Sequence, residues 1–210
     1  MGANAPFVTF EGIEGSGKTT QLRLLSGYLN DKGIPHRVTR EPGGTGLADE
    51  IRSLLLSPRE EAVFPETELL LYEAARAQHV RGVILPALSS GQAVLCDRFF
   101  DATTAYQGFS RGIEPIRIEW LNDFASGELT PDLTFLLDVS PEDGFARIRG
   151  RIAGPDRIES ESLEFHRKVR EGYLRILARN PVRMLRIDGS VPAEEVFRRI
   201  RETVSTRFGW

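Results

Sequence analysis

The residues Gly12-Ile13-Glu14-Gly15-Ser16-Gly17-Lys18-Thr19-Thr20 carry glycines, a lysine and hydroxyls at the spacing G-x-x-x-x-G-K-[ST]. Glycine lets a backbone curl so that successive N–H groups point inward at an anion. Lys18 has the reach for β- and γ-phosphates, and the Thr19 hydroxyl suits Mg2+. Together they imply a nucleoside triphosphate, without saying what receives the phosphate. Asp97-Arg98 is a second candidate. An Asp can hold Mg2+ through water, and an Arg can fork onto a phosphate. Taken alone, the pair equally fits an ordinary ion pair at a strand end.

Both candidates need elements that position them. Phe7–Phe10 is short, β-branched and aromatic, so it predicts a strand, and Thr20–Leu25 opens a helix. Strand, glycine loop, helix is the context of a phosphate cradle, because the helix N-terminus adds its positive dipole end. Further strands are predicted at 36–40, 93–96, 133–139 and 184–187, and helices at 18–31, 47–56, 66–90, 115–125, 141–149, 160–179 and 192–206. Val94-Leu95-Cys96 is continuously apolar, as a buried parallel strand is. The alternation predicts an α/β fold with helices on both faces of a parallel sheet. Asp97 then falls at the carboxyl end of a strand, where such folds bind ligands. No repeat or linker divides the chain, so one domain over 1–210 is expected.

Composition is globular, with 40% hydrophobic and 27% charged residues in 210. The net charge of −3 gives no reason to expect a nucleic-acid or membrane partner. Cys96 is the single cysteine, which excludes an intramolecular disulfide and suits a reducing cytoplasm. The first residues hold neither a basic segment nor a long apolar run, so a cytoplasmic location is expected.

The lysines are Lys18, Lys32 and Lys168, and none stands in an N-K-x-D guanine-reading pattern. Three segments point elsewhere: the phosphate loop, Thr39-Arg40-Glu41-Pro42-Gly43-Gly44-Thr45, and Asp97-Arg98-Phe99-Phe100-Asp101-Ala102-Thr103-Thr104-Ala105-Tyr106-Gln107-Gly108. Together they resemble the thymidylate kinases, from about Phe7 to the final helix. The loop is shared by many NTPases, whereas the other two segments are far more specific. The resemblance implies the P-loop kinase fold, with five parallel strands and an Arg-rich lid at about 147–157. It implies transfer of the ATP γ-phosphate to dTMP with Mg2+, and a homodimer packed through helices, the 66–90 stretch among them.

By that resemblance Gly12 to Thr20 bind ATP, and Thr19 and Asp97 serve Mg2+. Arg98 clamps the dTMP phosphate, Tyr72 stacks on thymine, and Arg76 donates to a base oxygen. Thr103 and Gln107 meet the base edge, and Tyr106 packs on the sugar and disfavours a 2′-hydroxyl. Arg52 and Glu41 belong to the acceptor side, with Arg40 and Glu41 shaping the pocket. From the sequence alone, Tyr72 and Tyr106 equally fit core aromatics, and Arg76 a solvated arginine. Ala102 stands where the family often has Ser, which puts one hydroxyl contact in doubt.

The attacking phosphate oxygen is already anionic, so no general base is expected; the need is for cations. Lys18 and Arg98 are two. The segment Arg147-Ile148-Arg149-Gly150-Arg151 supplies more. The phosphate loop carries Glu14 and no arginine, which resembles the branch whose catalytic arginine sits in the lid. Arg151 is the first choice for that role and Arg149 the second. Glu14 is expected to face the acceptor side. Two other readings stay open: a different small nucleotide or nucleoside kinase, and an ATP-binding regulatory module without useful turnover.

Overall fold

A computed structural model of the protein describes residues 5–149 and 156–210. Five strands form one parallel sheet: β1 (Phe7–Glu11), β2 (His36–Arg40), β3 (Ala93–Asp97), β4 (Leu133–Asp138) and β5 (Met184–Asp188), in the order β2-β3-β1-β4-β5. The central strands are buried along their length, as their apolar runs require. In the β1–β3 register Phe10 pairs with Asp97. The phosphate loop and Asp97-Arg98 therefore leave the sheet side by side, at its carboxyl edge.

Helix α1 (Lys18–Asp31) buries Leu22, Leu25 and Leu29, spaced as one helical stripe. Helix α9 (Ala193–Phe208) buries Val196, Ile200 and Val204 in the same way. Both stripes pack on Val8, Phe10 and Phe135 to form one side of the core. A fully buried leucine contributes about 2 kcal/mol by leaving water, so the α1 stripe is an effective fastener for the loop that precedes it. The other face is closed mainly by α8 (Leu163–Arg179), whose Val169, Tyr173 and Ile176 pack with Tyr106 and Leu136.

The expected 66–90 helix is three consecutive pieces: α3 (Pro65–His79), a π-helical segment Val80–Ile84, and α4 (Leu85–Ser89). Pro86 lacks the amide a regular helix would use, and a wider turn accommodates it. The sequence reading also missed helical structure after Arg98: α5 (Phe100–Thr103) and a second π-helical segment, Thr104–Ser110. Helices α2 (Gly46–Leu56), α6 (Pro115–Ser126) and α7 (Pro141–Ile148) agree with expectation to within one residue. The stretch expected as a helix from 160 starts as α8 at Leu163, where the Ser162 hydroxyl accepts from Phe165 N at 3.2 Å and caps it.

Candidate active site

One cleft of about 970 Å3 runs along the carboxyl edge of the sheet. That is the upper end of the range for small-molecule sites, roughly 300–1,000 Å3. Its walls include Glu14 to Thr20 of the phosphate loop, then Glu41, Arg52, Tyr72, Arg76, Asp97, Arg98, Thr103, Tyr106 and Gln107. The candidates scattered through a hundred residues of sequence thus share one cavity.

At the donor end, Gly17 precedes α1 with φ 95°, a left-handed conformation, and α1 has no side-chain cap. Its first-turn amides are left for a ligand. Lys18 folds back on the loop, donating to the carbonyls of Gly12 at 2.9 Å and Ile13 at 3.0 Å. Burial lowers the Lys18 amine to about 8, reinforced by the Arg98 charge. A phosphate arriving there would restore the full charge. Thr19 Oγ1 donates to Asp97 Oδ2 at 3.0 Å, linking α1 to β3. A hydroxyl and a carboxylate beside a phosphate cradle are hard oxygen donors of the kind Mg2+ takes.

Arg98 holds the centre. Its φ of 69° is left-handed, a conformation rare outside glycine, and its amide donates to Phe10 O at 2.9 Å. The guanidinium donates to Tyr173 Oη at 3.1 Å, Glu14 Oε1 at 2.7 Å and Tyr106 Oη at 3.0 Å. Two of its five N–H groups are left for a ligand. Glu14 turns inward to Arg98 and Tyr106. Burial alone would raise its carboxyl, but the Arg98 and Lys18 charges hold it well below the usual carboxylate range.

Tyr72 and Arg76 stand one turn apart on α3, and both line the cleft. Arg76 is not a solvated arginine. It donates to Glu41 and Glu73 at 2.8 Å, to Asn122 at 2.8 Å and to Thr103 Oγ1 at 2.9 Å. One Nη2 hydrogen is left over for a ligand. Burial opposes its charge, and Glu41 and Glu73 outweigh that cost. Arg52 donates to Pro42 O at 3.1 Å from α2, whereas the exposed Arg40 pairs with Asp49 at 2.8 Å.

Gly12 and Ile13 contribute carbonyls to Lys18 and are not themselves among the cleft-lining residues. Arg149 is exposed at the end of α7, while Arg147 lines the cleft and donates to Gly15 O at 3.3 Å. Arg151 lies outside the described residues, as does most of the expected lid.

The sequence reading missed five groups that support the cleft. Glu11, at the end of β1, accepts from Phe99 N at 2.7 Å and lies 2.7 Å from Tyr173 Oη. Burial, then the Asp101 carboxylate, pushes Glu11 up to about 8. His166 is fully buried, with Nδ1 3.2 Å from Glu14 Oε2 but not aligned for a hydrogen bond. Gly144 touches the phosphate loop, and Glu68 holds Gln107. No local spacing announces any of them, because each acts through a contact distant in sequence.

Comparison with known proteins places the chain in a family. A family model described as "Thymidylate kinase" matches residues 10–200. The Thymidylate kinase of Geotalea uraniireducens is 50% identical over 206 residues, covering 96% of this chain and 97% of that one. The Thymidylate kinase of Pelobacter propionicus is 53% identical over 195 residues, covering 90% and 89%. The crystal structure of thymidylate kinase from Ehrlichia chaffeensis superposes with a TM-score of 0.76 at 34% identity, covering 96% of this chain and 99% of that one.

Proposed function

This chain belongs to the thymidylate kinase family and phosphorylates dTMP to dTDP with ATP, and from that premise we propose how its own residues divide the work. The observation that carries the reading is the double tie between β3 and the phosphate loop: Asp97 to Thr19 at 3.0 Å and Arg98 to Glu14 at 2.7 Å. Donor and acceptor phosphates are brought to adjoining sites by adjacent residues.

Gly12 to Thr20 hold the triphosphate, with Lys18 exchanging loop carbonyls for phosphate oxygens. Thr19 and Asp97 would hold Mg2+, which when bound supplies charge neutralisation between the phosphates. Arg98 clamps the dTMP phosphate with its two remaining N–H groups. Tyr72 stacks on the base as a neutral phenol, since burial pushes its hydroxyl well up. Arg76, Thr103 and Gln107 face the base edge. Tyr106 packs on the sugar, with its hydroxyl anchored to Glu14 and Arg98 so that the ring cannot swing away for a 2′-hydroxyl. Arg52 and Glu41 complete the acceptor wall. Transfer requires no proton abstraction, only alignment and positive charge.

The chain works as one domain, with a lid over about 147–157 that supplies a catalytic arginine, Arg151 before Arg149. A cytoplasmic location accords with its buried free Cys96. A homodimer accords with α6, where Ile116, Trp120 and Phe124 recur every fourth residue and are 63–69% exposed. Trp120 and Phe124 stack at 5.4 Å, and α6 packs on α3, so this stripe offers an apolar face to a second copy.

Steady-state kinetics of Arg151→Ala and Arg149→Ala test the catalytic assignment. The expected result is a fall in kcat of roughly 10³-fold for Arg151→Ala, with a much smaller change in KM for dTMP. Near-normal kcat for that variant removes Arg151 from the role.

A further inference from the structure

We propose that Glu68 sets which end of the Gln107 amide meets the base, and thereby makes the acceptor site demand a pyrimidine with a hydrogen on N3. The inference rests on the reading that Gln107 faces the base edge.

Glu68 is in the first turn of α3 and is wholly buried. By sequence it passes for an acid complementing a helix dipole. In the fold it accepts from Gln107 Nε2 at 2.8 Å, from Arg111 Nε and Nη2 at 3.1 Å each, and from Arg157 Nη2 at 2.6 Å. Burial would raise its carboxyl, but the bonds from Arg111, Gln107 and Arg157 hold it below the usual range. It is therefore ionised, and an ionised carboxylate only accepts.

That constraint reaches Gln107. The two ends of a glutamine amide have nearly the same shape, so a free amide turns over to suit its ligand. Here turning over would set a carbonyl oxygen against a buried carboxylate oxygen with no proton between them; Arg111 still donates to that carboxylate oxygen, but the turned amide oxygen would face it without a donor of its own. The nitrogen must face Glu68, and the oxygen is left for the cleft that Gln107 lines. Gln107 is itself buried within the helical segment Thr104–Ser110, so the backbone does not offer an alternative aim.

A fixed acceptor oxygen selects its complement. Thymine and uracil present an N3–H donor beside a C4 carbonyl. Cytosine presents a bare N3 acceptor beside an amino group. The spare Arg76 Nη2 hydrogen is a donor, and with the Gln107 oxygen it matches the thymine edge and opposes the cytosine edge at both places. A site that hydrogen-bonds its substrate in this way rejects the unmatched analogue by roughly 10⁴-fold. Methyl recognition at C5 is a separate matter, and Glu68 has no part in it.

The test is kcat/KM for dTMP, dCMP and N3-methyl-dTMP with the full-length enzyme, Glu68→Gln and Gln107→Met. A glutamine at 68 can donate to Gln107 Oε1 and so permits the amide to turn over. The expected result is a fall of at least about tenfold in the dTMP/dCMP ratio for Glu68→Gln, with dCMP gaining and N3-methyl-dTMP staying a poor acceptor in both enzymes. An unchanged ratio in a folded Glu68→Gln, with the ratio collapsed in Gln107→Met, overturns the role of Glu68 while leaving Gln107 at the base. Unchanged ratios in both variants overturn the base-edge reading as well. Where Glu68→Gln does not fold, hydrogen exchange of the Gln107 side-chain amide in the unmodified enzyme decides. Slow exchange both free and with dTMP bound supports the proposal. Fast exchange of that amide overturns it.

Discussion

Gly15 of the phosphate loop and Gly144 of α7 lie so close that a β-carbon on Gly15 would stand 2.1 Å from the Gly144 carbonyl oxygen. The approach is mutual, since a β-carbon on Gly144 would meet Glu14 O at 2.4 Å. Helix α7 leads into the proposed lid, so this contact seats α7 directly on the phosphate loop. Gly144→Ala must push the two backbones apart. The expected cost is about 1–3 kcal/mol of stability, with a fall in kcat larger than the rise in KM for dTMP. Thermal unfolding together with steady-state kinetics checks it; a variant with unaltered melting and turnover contradicts the contact's importance.

Lys18 should take up a proton when nucleotide binds. Burial leaves its amine at about 8 in the free protein, so at pH 8 about half of the molecules carry it neutral. Triphosphate oxygens favour the charged form and draw the proton in. Calorimetry of a non-hydrolysable ATP analogue at pH 8, in buffers of different ionisation enthalpy, should show uptake of about half a proton per site. The uptake should disappear in Lys18→Met. Buffer-independent heats for the unmodified protein would contradict the depressed amine.

Glu11 gives the fold a pH dependence of opposite kind. Its folded pKa of about 8 is above the ordinary 4.5, through burial and then Asp101. The native state therefore keeps a proton that the unfolded chain has lost. Glu11 contributes its full stabilisation below about pH 4.5 and loses it as pH rises through about 8. Glu11→Gln cannot ionise there. Between pH 6 and pH 9 the unmodified protein should lose about 2 kcal/mol relative to the variant, read from denaturant midpoints. Parallel curves would show that Glu11 ionises freely in the native state.

The strands were legible because Val94-Leu95-Cys96 and Leu133–Leu137 are apolar runs too short for helices and too continuous for loops. The phosphate loop was legible because its pattern is local: of its nine successive residues, Glu14 to Thr20 line the cleft. The helical turns at Phe100–Ser110 were not, because that stretch spends its residues on the cleft and leaves no 3.6-residue apolar stripe to read. The break at Val80–Ile84 had a sign in Pro86, a proline inside the expected 66–90 helix, but a proline shows that the helix is interrupted and not that a π-turn absorbs the change. For Arg76 the residues alone left a solvated arginine open beside the base-facing role that the resemblance implied, because nothing near it in sequence shows Glu41, Asn122 and Thr103 converging on it. Glu11, Glu68 and Tyr173 were missed for the same reason: Tyr173 meets Glu11 across 162 positions, and folding alone makes them neighbours.

The central claim is that this cleft takes a thymine deoxynucleotide as phosphate acceptor. ADP formation with ATP and Mg2+ should be measured across dTMP, dUMP, TMP with a ribose sugar, dCMP, dGMP and AMP. The account predicts strong preference for dTMP, weaker turnover of dUMP, and little with the ribose sugar or the other bases. Preference for another base, or equal turnover of the ribose and deoxyribose forms, would contradict it.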